Sequence, residues 1–396
     1  MVEAIAGIRV LELGQVIAGP FCGQLLGDLG AEVVKVEPPD VGDVLRQWGH
    51  RTGGGDSLWW RVTGRNKRSV TIDLRTGDGQ ELVRRLVEKT DILVENFRPG
   101  TMERWGLGWA ELSAVNPRLI MVRISGFGQD GPYARRAGYA AIGEAMGGLR
   151  ALTGYPDRPP TRVGVSIGDS LTGMFGALGA LAALEARHRT GRGQVVDASI
   201  YESVLAVTEA LVIDWHAEGL ARERTGPTLP GIAPSNVYPT QDGQVLIAAN
   251  QDSVFARLVT VMGYPELTTD PRFENHQARA KHVPEIDAIV SAWTLTHSSA
   301  DVLARLHEAG VPAGLVYEPK DMLDDPHFAA RGSLVRVPDD TYGEIVMQGV
   351  FPRLSDTPGS VRRAGPPLGA DTEDVLRELL DLKPAEIERL RNDNVI

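Results

Sequence analysis

The first 37 residues read as a strand, a helix and a second strand: a β-like run at 8–13, a loop at 14–20 punctuated by Gly14, Gly19 and Pro20, a helix to about Leu29, and the apolar run Glu32–Glu37. Two strands joined by a single helix return to the same edge of a sheet and lie parallel, so this unit commits the chain to a crossover topology. The pattern recurs. A strand at 69–74 leads into a helix at about 77–88, a strand at 91–94 into a helix at about 102–115, and a further strand follows at 119–124. The alternation predicts an α/β fold with a Rossmann-like, doubly wound parallel sheet.

Residues 161–165 read as extended and lead through Ser166-Ile167-Gly168-Asp169 into a helix built almost wholly of Gly, Ala, Leu and Met, which closes at Arg187-His188-Arg189. Asp169 sits at the mouth of that helix. Asp is a preferred N-cap, so capping is one reading of this residue. The other is a carboxylate that a substrate can approach closely across the neighbouring glycine. A strand at 193–200 and a helix to about Trp215 come next, and residues 218–234 mix charge with Gly and Pro, as a crossing between domains does. The predicted division gives residues 1–217 to the N-terminal part of a large domain. Residues 226–325 make a smaller inserted α+β domain, and residues 326–396 a C-terminal segment returning to the large one.

With 396 residues, 42% of them hydrophobic and 23% charged, the chain falls among ordinary globular proteins and can bury a large core. A net charge of −11, no basic run and 6% aromatic residues point away from nucleic acid and from an anionic membrane surface, toward a small-molecule partner. The single cysteine, Cys22, excludes an intramolecular disulfide and a Cys-based zinc cluster and fits a reducing compartment. The first residues lack a secretory pattern, and the continuous apolar stretch at 171–184 falls short of the roughly 20 residues a membrane span needs. The expectation is a cytoplasmic protein.

Glu37 closes the second strand where a dinucleotide fold carries a ribose-binding acid. The glycines do not match: Gly14-Gln15-Val16-Ile17-Ala18-Gly19-Pro20 is not G-x-G-x-x-G, and Pro20 lacks an N–H for a pyrophosphate. There is no P-loop, no G-x-S-x-G elbow and no H-E-x-x-H, and the eight histidines are scattered, so no metal is expected. Loops at strand ends instead carry Asn66-Lys67-Arg68, Arg75, Asn96-Phe97-Arg98-Pro99-Gly100 and Arg104. Together these cations suit phosphate oxygens; each arginine alone reads as solvated surface.

These motifs carry a resemblance. Leu11-Glu12-Leu13-Gly14-Gln15-Val16-Ile17-Ala18-Gly19-Pro20, Gly30-Ala31-Glu32-Val33-Val34-Lys35-Val36-Glu37, Asn66-Lys67-Arg68-Ser69, Ser125-Gly126-Phe127-Gly128, the Gly168-Asp169 helix and Pro366-Pro367-Leu368-Gly369 in the tail resemble the class III CoA-transferases, the CaiB/BaiF family. The resemblance spans nearly the whole chain. It implies CoA transfer from an acyl-CoA to a carboxylic acid, with Asp169 as nucleophile and an aspartyl-CoA intermediate. It also implies CoA contacts from Val16, Ile17 and Ala18 in the first loop, Ile72 and Arg75 at the adenine end, Asn96, Phe97 and Arg98 after their strand, and Arg104, with Tyr139 beside the reacting centre. Two subunits threaded through one another as an interlocked homodimer belong to the same expectation.

The chain departs from the formyl-CoA transferase branch at three positions. Pro38 and Ala137 stand where that branch has cations, with Arg46, Arg135 or Arg136 as candidates to compensate, and Gln15 replaces a loop histidine. Oxalate and formate are therefore not the expected substrates; succinyl-CoA or another dicarboxylate is. Asn250, Gln251 and Asp252 fall where the family has a Gly-rich loop, so they are candidates to shape acceptor choice. One alternative is an α-methylacyl-CoA racemase on the same fold, disfavoured because Tyr139, with a pKa near 10, is a poor base at neutral pH. A CoA-binding protein without turnover is the other.

Overall fold

The computed structural model describes residues 2–51 and 55–396, and the chain divides into two compact units. The first contains the residues through Arg150, Val163–Leu220 and His327–Ile396; the second contains Ala151–Arg162 and Ala221–Pro326. Residues 151–162, given to the large domain by the sequence reading, thus lie with the second unit.

Six strands organise the first unit: β1 (Arg9–Glu12), β2 (Glu32–Glu37), β3 (Lys67–Thr71), β4 (Ile92–Glu95), β5 (Ile120–Ser125) and β6 (Val195–Ser199). They form one sheet in the order β3-β2-β1-β4-β5-β6, parallel throughout. Successive residues point to opposite faces, and both faces are covered. Leu11, Val34, Leu93 and Met121 meet Leu82, Leu86 and Leu376 on one side. Val10, Val33, Ile92, Val94 and Val122 meet Cys22, Leu26, Ala177 and Ala180 on the other. The chain order reverses between β1 and β4, and the carboxyl ends of strands at such a switch point form the crevice where open α/β sheets bind ligands.

Helices Ala18–Asp28 and Ile167–Thr190 cross closely on the second face because glycine lets them. A Cβ on Gly173 would stand 2.8 Å from the Ala18 carbonyl oxygen and 3.2 Å from the Cys22 nitrogen. The Ile167–Thr190 helix has 24 residues, longer than the sequence suggests, and is long and apolar enough to cross a membrane by length and composition alone. Its Gly and Ala face is buried against β5 and Ala18–Asp28, and Arg187 in its last turn pairs with Asp91 at 2.8 Å.

The tail returns to β3. Ser69 N donates to Asp371 at 2.9 Å, Thr71 N to the Thr372 hydroxyl at 3.0 Å, and Asp73 N to the Val395 carbonyl at 2.7 Å, which occupies backbone groups along an edge strand. In the second unit an antiparallel sheet of β7 (Ser235–Pro239), β8 (Gln244–Ala248) and β9 (Ala313–Leu315) packs with helices around Phe255, Leu258, Trp293 and Leu306.

Three sequence expectations need correction. The helix at 102–115 is two short helices, Thr101–Arg104 and Trp109–Val115, separated where Gly106 takes φ of 64°. The helix running to Trp215 is likewise two, Ile200–Leu205 and Leu211–Glu218, with Glu209 at φ of 54° between them. Residues 161–165 form no strand.

Candidate active site

The loop after β1 is fixed from two sides. Asn96, directly after β4, donates from Nδ2 to the Gln15 carbonyl at 2.7 Å and accepts from Gln15 N at 2.7 Å. A Cβ on Gly14 would lie 3.1 Å from Asn96 Oδ1 and 3.2 Å from Gly19 Cα, so a side chain here would press on both. Val16 adopts φ of 68°, a costly conformation for a β-branched residue, and its N–H donates to Asp43 at 3.0 Å. Ile17 and Ala18 are buried where the loop enters the Ala18–Asp28 helix.

Beneath the loop lie four fully or nearly fully buried charges. Lys35 Nζ is 2.8 Å from Asp43 and 3.3 Å from Glu12, and donates to the Gly14 carbonyl. Lys67 Nζ is 2.8 Å from Glu12 and donates to the Pro20 carbonyl at 2.6 Å. Burial pushes the Glu12 carboxyl up, and the two lysines oppose that shift. Lys67 was expected to face phosphate; it sits at the amino end of β3, away from the crevice, and is spent on Glu12. Its neighbours are spent as well: Asn66 donates to Asp28 at 2.8 Å, and Arg68 pairs with Glu32 and Glu378.

Glu37 is not available to a ribose. Arg46 grips it through Nε and Nη2, both at 2.7 Å, while Asp43 N and the Ser69 hydroxyl also donate to it. Burial raises the Glu37 carboxyl, but the Arg46 bonds outweigh burial and hold it below its ordinary range. Arg46 itself is 3% exposed and stacks 3.9 Å from the Trp60 ring centre. It cannot supply the phosphate contact missing at Pro38. Arg135 and Arg136 are exposed, and Arg136 stacks on Tyr133 at 3.6 Å.

A cavity of about 360 Å³ opens at the carboxyl ends of β1 to β4. Leu13, Val36, Ile72 and Phe97 give it an apolar wall, with Trp105 edge-on to Phe97 at 5.1 Å. Gln15, Pro38, Asp40 and Arg75 complete the rim. Arg75 is clasped by Asp73 through Nε at 2.9 Å and Nη2 at 2.8 Å. Arg98 is exposed on the segment after β4, and Arg104, also exposed, donates to the Thr101 hydroxyl at 2.9 Å. Below Phe97, whose N–H donates to Glu95 at 2.8 Å, Glu95 pairs with Arg123 at 2.8 Å. Burial pushes the Glu95 carboxyl up to about 7 despite that pair.

Asp169 is the third residue of the Ile167–Thr190 helix, inside its first turn, with Ser166 at the cap position. It is partly buried. Gly168 before it is wedged: a Cβ there would lie 3.1 Å from Ile200 Cγ2 and 3.2 Å from Glu144 Cγ. One turn further, Gly173 abuts the Ala18 carbonyl, so the Asp169 turn and the cavity flank the same loop. Tyr139 is 75% exposed and precedes the Ala140–Met146 helix, which packs on the Asp169 helix. The sequence reading missed Glu144, an acid in that otherwise small and apolar helix. Glu144 is 2% exposed, accepts from Gly168 N at 3.5 Å and pairs with Arg150 at 3.1 Å. In the second unit Asp252 pairs with the buried Arg279 at 2.7 Å. Among the described residues no cluster of three His, Cys, Asp or Glu side chains could hold a metal ion.

The sequence and the fold have known counterparts. The model of CoA-transferase family III matches residues 5–372. The chain is 57% identical over 390 residues to the succinyl-CoA–D-citramalate CoA-transferase of Chloroflexus aurantiacus, covering 98% of this chain and 97% of that protein. It is 43% identical to the succinyl-CoA–L-malate CoA-transferase beta subunit of the same organism, covering 99% and 98% of the two chains. The crystal structure of a CaiB/BaiF family protein from Brucella suis superimposes with a TM-score of 0.86 at 37% identity, over 96% of this chain and all of that one. The chain belongs to CoA-transferase family III, the CaiB/BaiF family.

Proposed function

We propose that the protein moves CoA from succinyl-CoA to a second small carboxylic acid, of the hydroxy-dicarboxylate kind named in the citramalate and malate relatives, through a covalent intermediate on Asp169. A carboxylate oxygen of Asp169 attacks the thioester carbon; the C–S bond breaks and CoA leaves as thiolate, giving a mixed anhydride of Asp169 and succinate. The thiolate then attacks the Asp169 carbonyl carbon, succinate departs, and an aspartyl-CoA thioester remains. The acceptor runs the two steps in reverse. Its carboxylate expels the thiolate, the thiolate takes the acceptor's carbonyl carbon, and Asp169 is regenerated with no net change in protons or electrons.

The carrying observation is that Asp169 lies inside the first turn of a 24-residue helix whose next turn, at Gly173, abuts the end of the loop that also borders the cavity. First-turn N–H groups and the positive end of the helix dipole favour the oxyanions that form on either side of the reaction. We seat the adenine end of CoA in the cavity at Ile72, Arg75 and Phe97, its phosphates toward Arg98 and Arg104, and its pantetheine arm along Val16, Ile17, Ala18 and Asn96 toward Tyr139. Asp169→Ala and Asp169→Asn should each lower turnover by at least about 10³-fold while CoA binding and thermal stability stay near wild type. Comparable turnover in either variant would refute the mechanism.

We infer that the working form is an interlocked homodimer. Met174, Leu178, Val212, Ile213 and Trp215 are each more than half exposed, an apolar surface of the kind a second subunit covers. We further infer a cytoplasmic protein, in keeping with a single, buried, unpaired cysteine.

A further inference from the structure

Beside the Asp169 turn, one cation is anchored by a buried carboxylate. Arg150 Nε donates to Glu144 at 3.1 Å, and the other Glu144 oxygen accepts from Gly168 N at 3.5 Å, next to Asp169. The Glu144 side chain is 2% exposed and that of Arg150 26%, so the pair is fixed at its inner end while the guanidinium remains reachable from solvent. The bond to Glu144 uses Nε, one of five N–H donors in a planar fork that matches a carboxylate. Arg135 and Arg136, which precede Tyr139, are exposed, and Arg136 stacks on Tyr133.

We propose that Arg150 is the specificity-determining residue for dicarboxylates, receiving the distal carboxylate of the acyl group whose thioester carbon Asp169 attacks. The inference rests on the transferase reading above and adds to it the residue that selects the substrate class. A succinyl chain puts its second carboxylate about 4 Å beyond the thioester carbon when extended. The thioester carbon must itself come to about 3–3.5 Å from the Asp169 carboxylate. Glu144, which contacts both Gly168 N next to Asp169 and Arg150 Nε, ties that guanidinium to the Asp169 turn. Donor and acceptor acyl groups occupy the same place in turn, since both are joined to and released from Asp169, so one arginine reads both. An acyl group ending in a methyl would leave the fork unpaired, and a site built to bind a polar group rejects the analogue that lacks it far more strongly than an apolar pocket rejects a missing methylene.

The test is the exchange of a labelled acid into its own CoA thioester, which needs no other acceptor. Succinate with succinyl-CoA is compared with butyrate and butyryl-CoA, where a methyl replaces the distal carboxylate. Removing Arg150 alone would strand the buried Glu144 charge, so Arg150→Met is made in a Glu144→Gln background, with Glu144→Gln as the reference. The wild type should prefer succinyl exchange by at least about 100-fold, and the ratio measured for Glu144→Gln is the reference against which the Arg150 variants are read. Glu144→Gln/Arg150→Met should bring the ratio below about ten, chiefly by losing succinyl exchange, and Glu144→Gln/Arg150→Lys should restore part of it. A wild type without preference, a double variant that keeps the preference, or equal loss of both exchanges would overturn the proposal. A wild type that exchanges neither acid would refute the transferase reading beneath it.

Discussion

Asp169 and Glu95 are carboxylates in different surroundings. Asp169 is partly buried in a helix first turn, at the positive end of the helix dipole. Glu95 lies under Phe97, and burial holds its carboxyl near 7 although Arg123 and the Phe97 amide both favour ionisation. The folded protein therefore keeps a proton that the unfolded chain releases near pH 4.5, and the native state binds more protons across that interval. The contribution of Glu95 to stability falls as pH rises from about 4.5 to about 7 and is flat above it. Glu95→Gln removes this dependence. Its stability relative to wild type should rise by on the order of 3 kcal/mol across that window, read from unfolding of both proteins at matched pH. Parallel profiles would contradict the assignment.

At the scale of elements, close packing by glycine positions the site. Gly173→Ala would drive a methyl to 2.8 Å from the Ala18 carbonyl and 3.0 Å from the Phe21 ring, with backbone on one side unable to yield cheaply. The variant should lose about 1–3 kcal/mol of stability, and because the strain falls on the loop entry it should also raise KM for the acyl-CoA. Unchanged stability and KM would mean that the crossing does not hold the loop.

The elements themselves were legible from hydrophobic runs and breakers: the six parallel strands lie within a few residues of their sequence positions. The breaks at Gly106 and Glu209 were not, since a single left-handed residue leaves the surrounding composition helical. Among the candidate site residues, Asp169, Arg75, Asn96 and Phe97 carried local signals as helix-start or strand-end positions, while Ile72 followed from the family resemblance alone. The roles of Lys67, Arg46 and Glu144 depend on partners that only the fold brings against them: Glu12, Glu37, and Gly168 with Arg150. Local composition cannot distinguish a lysine facing phosphate from one buried against an acid.

At the scale of the molecule, the exposed apolar residues on Ile167–Thr190 and Leu211–Glu218 require a cover. If the cover is a threaded second subunit, separating the chains requires unfolding, and exchange between two differently tagged dimers under native conditions should be as slow as denaturation. Rapid mixed-dimer formation, or a stable active monomer at micromolar concentration, would rule that arrangement out. The central claim concerns one bond, between Asp169 and the sulfur of CoA. Its most direct test is to mix the protein with succinyl-CoA in the absence of acceptor, trap with hydroxylamine or borohydride, and follow the Asp169 peptide by mass spectrometry. The mechanism predicts that the peptide is converted to the hydroxamate or the alcohol at Asp169, in wild type only and with stoichiometric release of succinate; an unmodified Asp169 in a protein that is turning over would contradict it.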